Sequence, residues 1–298
     1  MQLLESLSAT SGQGLMIWLL IAIPLASATF LLLAGRLTDR WGHFLATAAV
    51  VASFVIGLVL FAALLGLDSE SRHLNTAVYE WIATGSWSIQ LGLLVDPLSI
   101  LFVLLITGVG SLIHIYSIGY MAHDDRRRRF FAYLNLFIAA MLTLVLADNY
   151  LVLFLGWEGV GLASYLLISF WAHKPSAAKA GNKAFIVNRV GDLGLSMAIF
   201  TMLAMFGSVR FEDVNAGAAG LSPLWATLLG FFLLLAACGK SAQVPLHSWL
   251  LDAMEGPTPV SALIHAATMV TAGIFMVARM SPLFELSETA LSFVLFIG

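Results

Sequence analysis

The stretch YLVLFLGWEGVGLASYLLISFW, from Tyr150 to Trp171, carries no charged residue except Glu158 near its middle. It is long enough to cross a hydrocarbon core of about 30 Å as a helix. An ionisable side chain at mid-bilayer depth costs at least about 2.5 to 3.5 kcal/mol, so such residues usually face a polar path or an opposite charge. Lys240 lies within a second apolar stretch, 224–251. Opposite charges in two nearby spans predict a proton or ion route.

The composition extends this interpretation to the whole chain. Sixty per cent of the 298 residues are apolar, 10% are charged, and the mean hydropathy is +0.94, whereas soluble domains carry about 25% charged residues. We therefore expect an all-α, polytopic transmembrane helical bundle. The apolar runs predict membrane helices at 15–35, 43–66, 97–121, 130–147, 150–171, 184–206, 223–251 and 258–280, with a ninth beginning at 288.

Cysteine usage and the amino terminus limit the chemistry. The single Cys238 excludes an internal disulfide and leaves too few thiolates for an iron-sulfur cluster or a structural zinc site. Redox chemistry is therefore not expected from this chain alone. The first apolar run follows Glu5 without any Lys or Arg and is too long for a cleaved signal, so we expect the mature chain to start at Met1.

The basic residues predict how the chain is oriented. They concentrate in alternate loops, at Arg36, Arg40, Arg126–Arg129, Lys174 and Lys179. Such loops are cytoplasmic by the positive-inside rule, which places the N-terminus on the non-cytoplasmic side. The arginine quartet is interpreted as a topological signal in contact with anionic headgroups rather than as a nucleic-acid site.

Residues 76–95 differ from their surroundings, because apolar residues alternate around the turn signal Thr84-Gly85-Ser86. This pattern predicts a short external β-hairpin. Its tryptophans, Trp81 and Trp87, either anchor at the interface or dock a neighbouring subunit. Asp96-Pro97 then predicts the N-cap and first turn of the third helix, a structural role.

The seventh span is predicted to be discontinuous. Gly239 and Pro245 flank Lys240, and Pro245 removes a backbone donor and clashes with the preceding turn. Broken helices at membrane depth recur in transporters, where they line hydrated cavities. Lys240 is therefore a candidate proton carrier whose charge Glu158 could control by changing its distance.

The sixth span carries Lys183, Asn188, Arg189 and Asp192. Arg189 and Asp192 share a helix face, so they either pair locally or take part in a conduction network. Lys183 lies near the predicted cytoplasmic end, where a long side chain can reach the interface.

The eighth span begins at Gly256-Pro257-Thr258-Pro259 and places His265 about two turns inside it, with Thr268 expected on the same face. Histidine titrates near neutrality and suits a proton relay, although a neutral hydrogen-bonded histidine is the alternative. No metal site is expected there. His114 and His247 are weaker candidates.

Four stretches carry a resemblance to a known family. They are GWEGVGLASY (Gly156–Tyr165), NRVGD (Asn188–Asp192), GKSAQVP (Gly239–Pro245) and GPTPVSALIHAATMVTAG (Gly256–Gly273). They resemble the antiporter-like chain L family of membrane subunits in bacterial NADH-quinone oxidoreductase, respiratory complex I. The resemblance covers essentially the whole chain, including the sequence DPLS at Asp96–Ser99.

The resemblance implies proton translocation coupled to electron transfer in other chains. It implies no flavin, cluster or nicotinamide site in this chain; FMN, iron-sulfur clusters, NADH and quinone belong to the complex as a whole. Expected partners are the lipid bilayer and other membrane-arm subunits, especially a neighbouring antiporter-like subunit, and no nucleic acid. The expected location is the bacterial plasma (inner) membrane.

The resemblance also implies roles for single residues. Glu158 and Lys240 match the modulating ion pair of the family, and His265 matches a link toward the central axis of the membrane arm. Further matches with less definite roles are Lys183, Arg189 and Asp192.

One departure from the family concerns length. Family members continue through a second, inverted repeat and a lateral helix, whereas this sequence stops inside the ninth span, so we expect a fragment of a longer gene product. The expected division is 1–129 for helices 1–3 with the hairpin near 76–95, 130–280 for a proton-translocating module of helices 4–8, and 281–298 for the start of helix 9.

Two alternatives remain at this point. The large subunit of a multisubunit Na⁺/H⁺ antiporter, or of a membrane-bound hydrogenase, shares the Glu and Lys pair, although the NRVGD and WEGVG runs favour the respiratory subunit. A purely structural scaffold is the other alternative, and the expected burial of Glu158 and Lys240 argues against it.

Overall fold

Residues 2–84 and 87–298 are described by a computed structural model. Within these residues, eight crossings are long and apolar enough to span a membrane, which confirms the predicted helical bundle. In chain order the helices are α1 (Gln2–Leu33), α2 (Gly42–Leu65), α3 (Pro97–Tyr120), α4 (Arg127–Leu146), α5 (Tyr150–Ile168), α6 (Pro175–Phe206), α7 (Phe211–Ala218), α8 (Pro223–Lys240), α9 (Ser248–Asp252), α10 (Thr258–Ala262), α11 (Met269–Arg279), α12 (Ser281–Phe284) and α13 (Glu288–Ile297).

The predicted hairpin is present as two antiparallel strands, β1 (Leu74–Thr84) and β2 (Trp87–Val95). Gly85 and Ser86 of the expected turn lie outside the described residues. The hairpin rests on the junction between α4 and α5, where the amide of Asn149 donates to the Gln90 carbonyl at 3.0 Å. Asn149 also caps α5, because its side-chain oxygen accepts from the first backbone amides of that helix.

Asp96 caps α3, as the sequence predicts. Its carboxylate accepts from the Ser99 amide while the Ser99 hydroxyl accepts from the Asp96 amide, both at 2.8 Å, which forms a capping box. The same carboxylate also accepts from both terminal nitrogens of Arg279, with Nη2 at 2.9 Å from Oδ1. Asp96 therefore joins the start of α3 to the end of α11.

The seventh crossing is discontinuous, as expected from its glycine and proline. Helix α8 ends at Lys240, the segment 241–247 is irregular, and α9 begins at Ser248. The indole of Trp249 donates to the Gly239 carbonyl at 3.0 Å and so fixes α9 to the broken end of α8. Lys240 is thus the last helical residue before the break.

The eighth crossing is interrupted as well, which the sequence does not predict. Helix α10 is followed by a π turn at Leu263–Ala267, and Thr268 leaves helical geometry at φ −140° and ψ −89° before α11 begins. The expectation that His265 and Thr268 share one regular helix face is therefore wrong. The Thr268 hydroxyl instead turns back and donates to the Leu263 carbonyl at 2.6 Å.

Two close helix contacts position the charged residues. Helix α4 packs against α1, α2, α3 and α5, and Gly156 of α5 lies directly against the Leu144 backbone. Helices α6 and α8 meet at Gly191 and Gly239, where a Cβ added to Gly191 would lie only 2.9 Å from the Gly239 Cα. Since these glycines adjoin Asp192 and Lys240, the close approach brings the two charged side chains together.

Candidate functional site

A buried ion pair joins α6 to the broken end of α8. Lys240 Nζ lies 3.3 Å from Asp192 Oδ1, and the two side chains are 1% and 5% exposed. Lys240 makes no well-aligned hydrogen bond among the described residues. The ammonium is therefore held mainly by charge, at the last residue of α8 before the break.

Trp157 of α5 contacts both members of this pair. Its indole nitrogen donates to Asp192 Oδ1 at 2.7 Å, and its ring centroid lies 5.6 Å from Lys240 Nζ. Such an arrangement adds a cation–π attraction to the ion pair. One turn later, a Cβ added to Gly161 would lie 2.9 Å from Lys240 Nζ, so the glycine leaves room for the ammonium.

A second pair extends the cluster toward the surface of the bundle. Arg189 Nη1 pairs with Glu158 Oε2, and Arg189 Nε lies 3.8 Å from Asp192 Oδ2. The predicted local contact between Arg189 and Asp192 is therefore present. The four charges form a row in the order Glu158, Arg189, Asp192, Lys240.

Glu158 and Lys240, the pair that the sequence singles out, are each paired with another residue in this structure. Among the described side chains, the carboxylate that forms an ion pair with Lys240 is that of Asp192. The reason is helical geometry, because consecutive residues of α5 point about 100° apart. Trp157 points toward Lys240, and Glu158 therefore points toward Arg189.

Lys183 and His265 lie outside this cluster. Lys183 Nζ pairs with Asp252 Oδ2 at 2.6 Å, near the start of α6. His265 is half-buried in the π turn, and the hydrogen bonds and ion pairs of residues 2–84 and 87–298 do not connect it to Lys240. The structure thus groups four of the six predicted residues and separates the other two.

The two weaker histidine candidates are also separate from the cluster. His114 is buried between α3 and α4, where its ring contacts the Gly110 carbonyl at 2.7 Å and the Asn135 side chain at 2.8 Å. His247 is exposed beside the helix break. Sequence reasoning missed Trp157, although its place next to Glu158 in an apolar helix was the available signal.

Glu158 and Arg189 line a groove on the outer surface of the bundle. The groove has a volume of about 530 Å³, and its other walls are mostly apolar, including Phe154 and Phe185. Arg189 is 48% exposed, with its guanidinium 4.9 Å from the centroid of the Phe185 ring. One end of the row of charges is therefore accessible from outside this chain, while the Lys240 end is enclosed.

Two family models match the chain. Residues 147–298 match the family described as NADH:quinone oxidoreductase/Mrp antiporter, TM, and residues 81–131 match the family described as NADH-ubiquinone oxidoreductase (complex I), chain 5 N-terminus. The first match includes all four residues of the charged row.

Similar proteins agree with these matches. NADH-quinone oxidoreductase subunit L of Mycobacterium tuberculosis H37Rv is 58% identical over 281 residues, which cover 94% of this chain and 44% of that protein. NADH-ubiquinone oxidoreductase chain 5 of Triticum aestivum is 45% identical, with 94% and 43% covered. The chain thus spans less than half the length of these relatives.

A solved structure shares the fold. It is that of the Mrp complex from Dietzia sp. DQ12-45-1b, with a TM-score of 0.76, 28% identity, and coverage of 89% of this chain and 28% of that chain. The resemblance seen in the sequence is confirmed by these matches. The chain belongs to the NADH:quinone oxidoreductase/Mrp antiporter transmembrane family.

Proposed function

We propose that this chain forms the first proton-translocating module of a membrane-arm subunit of NADH-quinone oxidoreductase, in which electrons pass from NADH to quinone in other subunits. The observation that carries the proposal is the buried pair of Lys240 and Asp192 at the break of α8. A scaffold has no need for a lysine there, because burying paired charges is often no more stabilising than an apolar contact.

The row of charges suggests how a proton is moved. Two unit charges about 4 Å apart attract by about 4 kcal/mol at an effective dielectric constant of about 20. Neutralising or withdrawing Asp192 removes that attraction and favours release of the Lys240 proton. Arg189 contacts both Glu158 and Asp192, so a shift of its guanidinium toward either carboxylate alters the charge beside Lys240.

We place this module at 130–280, with 1–129 as a supporting bundle and 281–298 as the start of a further repeat. Supporting this division, the row of charges and both interrupted crossings lie between α5 and α11. Lys183 and His265 stand apart from the row. We assign Lys183 to the path by which protons reach the row, and His265 to a link toward the central axis of the membrane arm. This chain contains one cysteine, and we assign FMN, iron-sulfur clusters, NADH and quinone to other subunits.

We further propose that a neighbouring antiporter-like subunit covers the groove at Glu158 and Arg189. A guanidinium exposed to lipid near mid-membrane is costly, whereas a polar or acidic group of an adjacent subunit would satisfy it. The similar solved structure is that of an Mrp complex. We further propose that the complex lies in a bacterial inner membrane, and the concentration of Lys and Arg in alternate loops supports an N-terminus outside the cytoplasm.

The test is proton pumping by the assembled enzyme in sealed vesicles, with the subunit supplied at full family length. Lys240→Ala is expected to lower the number of protons moved per NADH oxidised while NADH oxidation persists. Lys174→Ala is the matched control, because Lys174 is exposed and lies outside the row. Its Nζ is 4.6 Å from the centroid of the Trp171 ring. Normal pumping by Lys240→Ala would overturn the proposal.

A second candidate function is Na⁺/H⁺ antiport, which the similarity to the Mrp complex favours. The higher identity to oxidoreductase subunits favours the first candidate. Measuring pumping with and without sodium separates them. Proton movement that is driven by NADH and independent of sodium supports the oxidoreductase, and movement that requires a sodium gradient supports the antiporter.

A further inference from the structure

A polar cavity opens at the end of the bundle that carries the basic loops. Its volume is about 650 Å³, and it lies between the first turns of α6 and the segment formed by α9 and the following turn, Ala253–Glu255. The polar residues that line it are Ser176, Lys179, Lys183, Asp252 and Glu255. None of them belongs to the row of charges at Lys240.

Two carboxylates in this cavity are each held by one oxygen. Asp252 Oδ2 pairs with Lys183 Nζ at 2.6 Å, and Glu255 Oε2 accepts from the Ser176 hydroxyl at 3.0 Å. In the described part of the chain, the second oxygen of each carboxylate accepts no hydrogen bond. Each group is therefore fixed in place and keeps one oxygen able to take up a proton.

Helix α9 lines the cavity with one residue and contacts the helix break with another. Asp252 is the last residue of α9, and Trp249 of the same short helix is buried and donates to the carbonyl of Gly239, the residue before Lys240. Along α6, Asn188 lies between Lys183 and Asp192; it is buried, and its Oδ1 has no donor among the residues described. Asn188 thus provides a buried hydrogen-bond acceptor on α6 between the cavity and the pair at Lys240.

We propose that Asp252 and Glu255 form the proton-collecting mouth of the route to Lys240, an inference that rests on the proton-translocating function proposed above. A hydronium ion or a buffer acid gives its proton to the free carboxylate oxygen, which converts the carboxylate to a neutral carboxyl. The carboxyl then passes the proton to water on its inner side and returns to the carboxylate.

A proton-collecting carboxylate and a purely structural one respond differently to mobile proton carriers. A structural ion pair between α6 and α9 cannot be replaced by a small molecule in solution. A proton-collecting carboxylate can, because a soluble weak acid delivers protons to the same cavity. The distinction gives an experiment in which loss of the side chain and loss of the fold have different outcomes.

The experiment uses the assembled enzyme with the full-length subunit in inside-out vesicles. Initial rates of NADH-driven proton translocation are measured in weakly buffered medium, then with imidazole added outside, for Asp252→Asn, Glu255→Gln and the double variant. The double variant is expected to pump about tenfold more slowly without imidazole, since charged side chains in a cleft speed ion arrival by about tenfold or more. Imidazole should restore the rate. Asp125→Asn, exposed at the same end and outside the cavity, is the control.

The results separate failure of the proposed role of Asp252 and Glu255 from failure of the proposed function. Normal pumping by the double variant, or a loss that imidazole does not restore, would overturn the proposal that Asp252 and Glu255 collect protons. Lys240→Ala, measured in parallel, is expected to lose pumping without restoration by imidazole. If Lys240→Ala pumps normally, the proposed function itself fails, whatever the carboxylate variants do. NADH oxidation by an artificial acceptor confirms equal amounts of assembled enzyme.

Discussion

Lys240 Nζ lies 3.3 Å from Oδ1 of Asp192, so the lysine at the end of α8 is paired with a carboxylate in the middle of α6. The same Asp192 oxygen accepts a hydrogen bond from Trp157. Removing one partner of a buried ion pair costs about 3 to 5 kcal/mol, because the other charge is left without compensation. We therefore propose that Asp192, as well as Glu158, controls the charge on Lys240.

Trp157→Phe tests the hydrogen bond to Asp192. Phenylalanine keeps an aromatic ring near Lys240 but removes the donor, and a hydrogen bond to a charged group contributes about 1.5 to 3 kcal/mol. We expect fewer protons per NADH with NADH oxidation retained. Trp171→Phe is a matched control, since it removes an indole bond to Asp124, at 3.0 Å, in a loop outside the row. Equal effects of both variants would contradict the role given to Trp157.

Gly161→Ala tests the space around the ammonium. The added Cβ would lie 2.9 Å from Lys240 Nζ, so the lysine must move away from its position beside Asp192. Alanine favours a helix interior by about 1 kcal/mol over glycine, so α5 itself is not weakened. We expect reduced proton pumping in an enzyme that assembles normally.

Gly159→Ala controls for crowding alone. Its added Cβ would also lie 2.9 Å from a neighbour, but that neighbour is the methyl group of Ala140. Pumping in this variant should stay near the unmodified level. A loss of pumping in Gly159→Ala as large as in Gly161→Ala would show that helix packing, and not the position of Lys240, explains the effect.

Asp96→Asn tests the link between α3 and α11. Burial by itself raises the pKa of Asp96, but the hydrogen bonds and charge of Arg279, with hydrogen bonds from Ser99, outweigh it and hold the pKa below its usual value. A lowered pKa contributes stability that is present above the unfolded pKa and is lost only as pH falls through the folded pKa. The variant should therefore lower the Tm of the solubilised enzyme equally at pH 5.5, 7 and 8.5.

The expected cost of Asp96→Asn is about 1.5 to 3 kcal/mol, typical of hydrogen bonds to a charged group. Glu212→Gln is the control, because that carboxylate is 83% exposed and lies 3.7 Å from Arg210. A penalty for Asp96→Asn that shrinks between pH 7 and pH 5.5 would mean that the folded pKa is not lowered.

Features set by local sequence could be predicted. The break after Lys240 follows from Gly239 and Pro245, and the start of α3 follows from Asp96 and Pro97. The contact of Arg189 with Asp192 follows from their spacing on one helix. In each case the responsible residues lie within a few positions of one another.

Features set by helix packing could not be predicted. The partner of Lys240 depends on which face of α5 meets α8 and on the close approach of Gly191 to Gly239. The contact of Asp96 with Arg279 joins residues 183 positions apart. The π turn at Leu263–Ala267 contains no glycine or proline from which the interruption could be predicted.

The most direct test of the account is the number of protons translocated per NADH oxidised by Asp192→Asn, compared with Asp192→Glu and with the exposed control Asp213→Asn. Asparagine keeps the size of the side chain and removes the charge that holds Lys240. The account predicts that Asp192→Asn lowers this ratio while NADH oxidation continues, that Asp192→Glu recovers part of it, and that Asp213→Asn leaves it unchanged. An unchanged ratio in Asp192→Asn would contradict the claim that Asp192 controls the charge on Lys240.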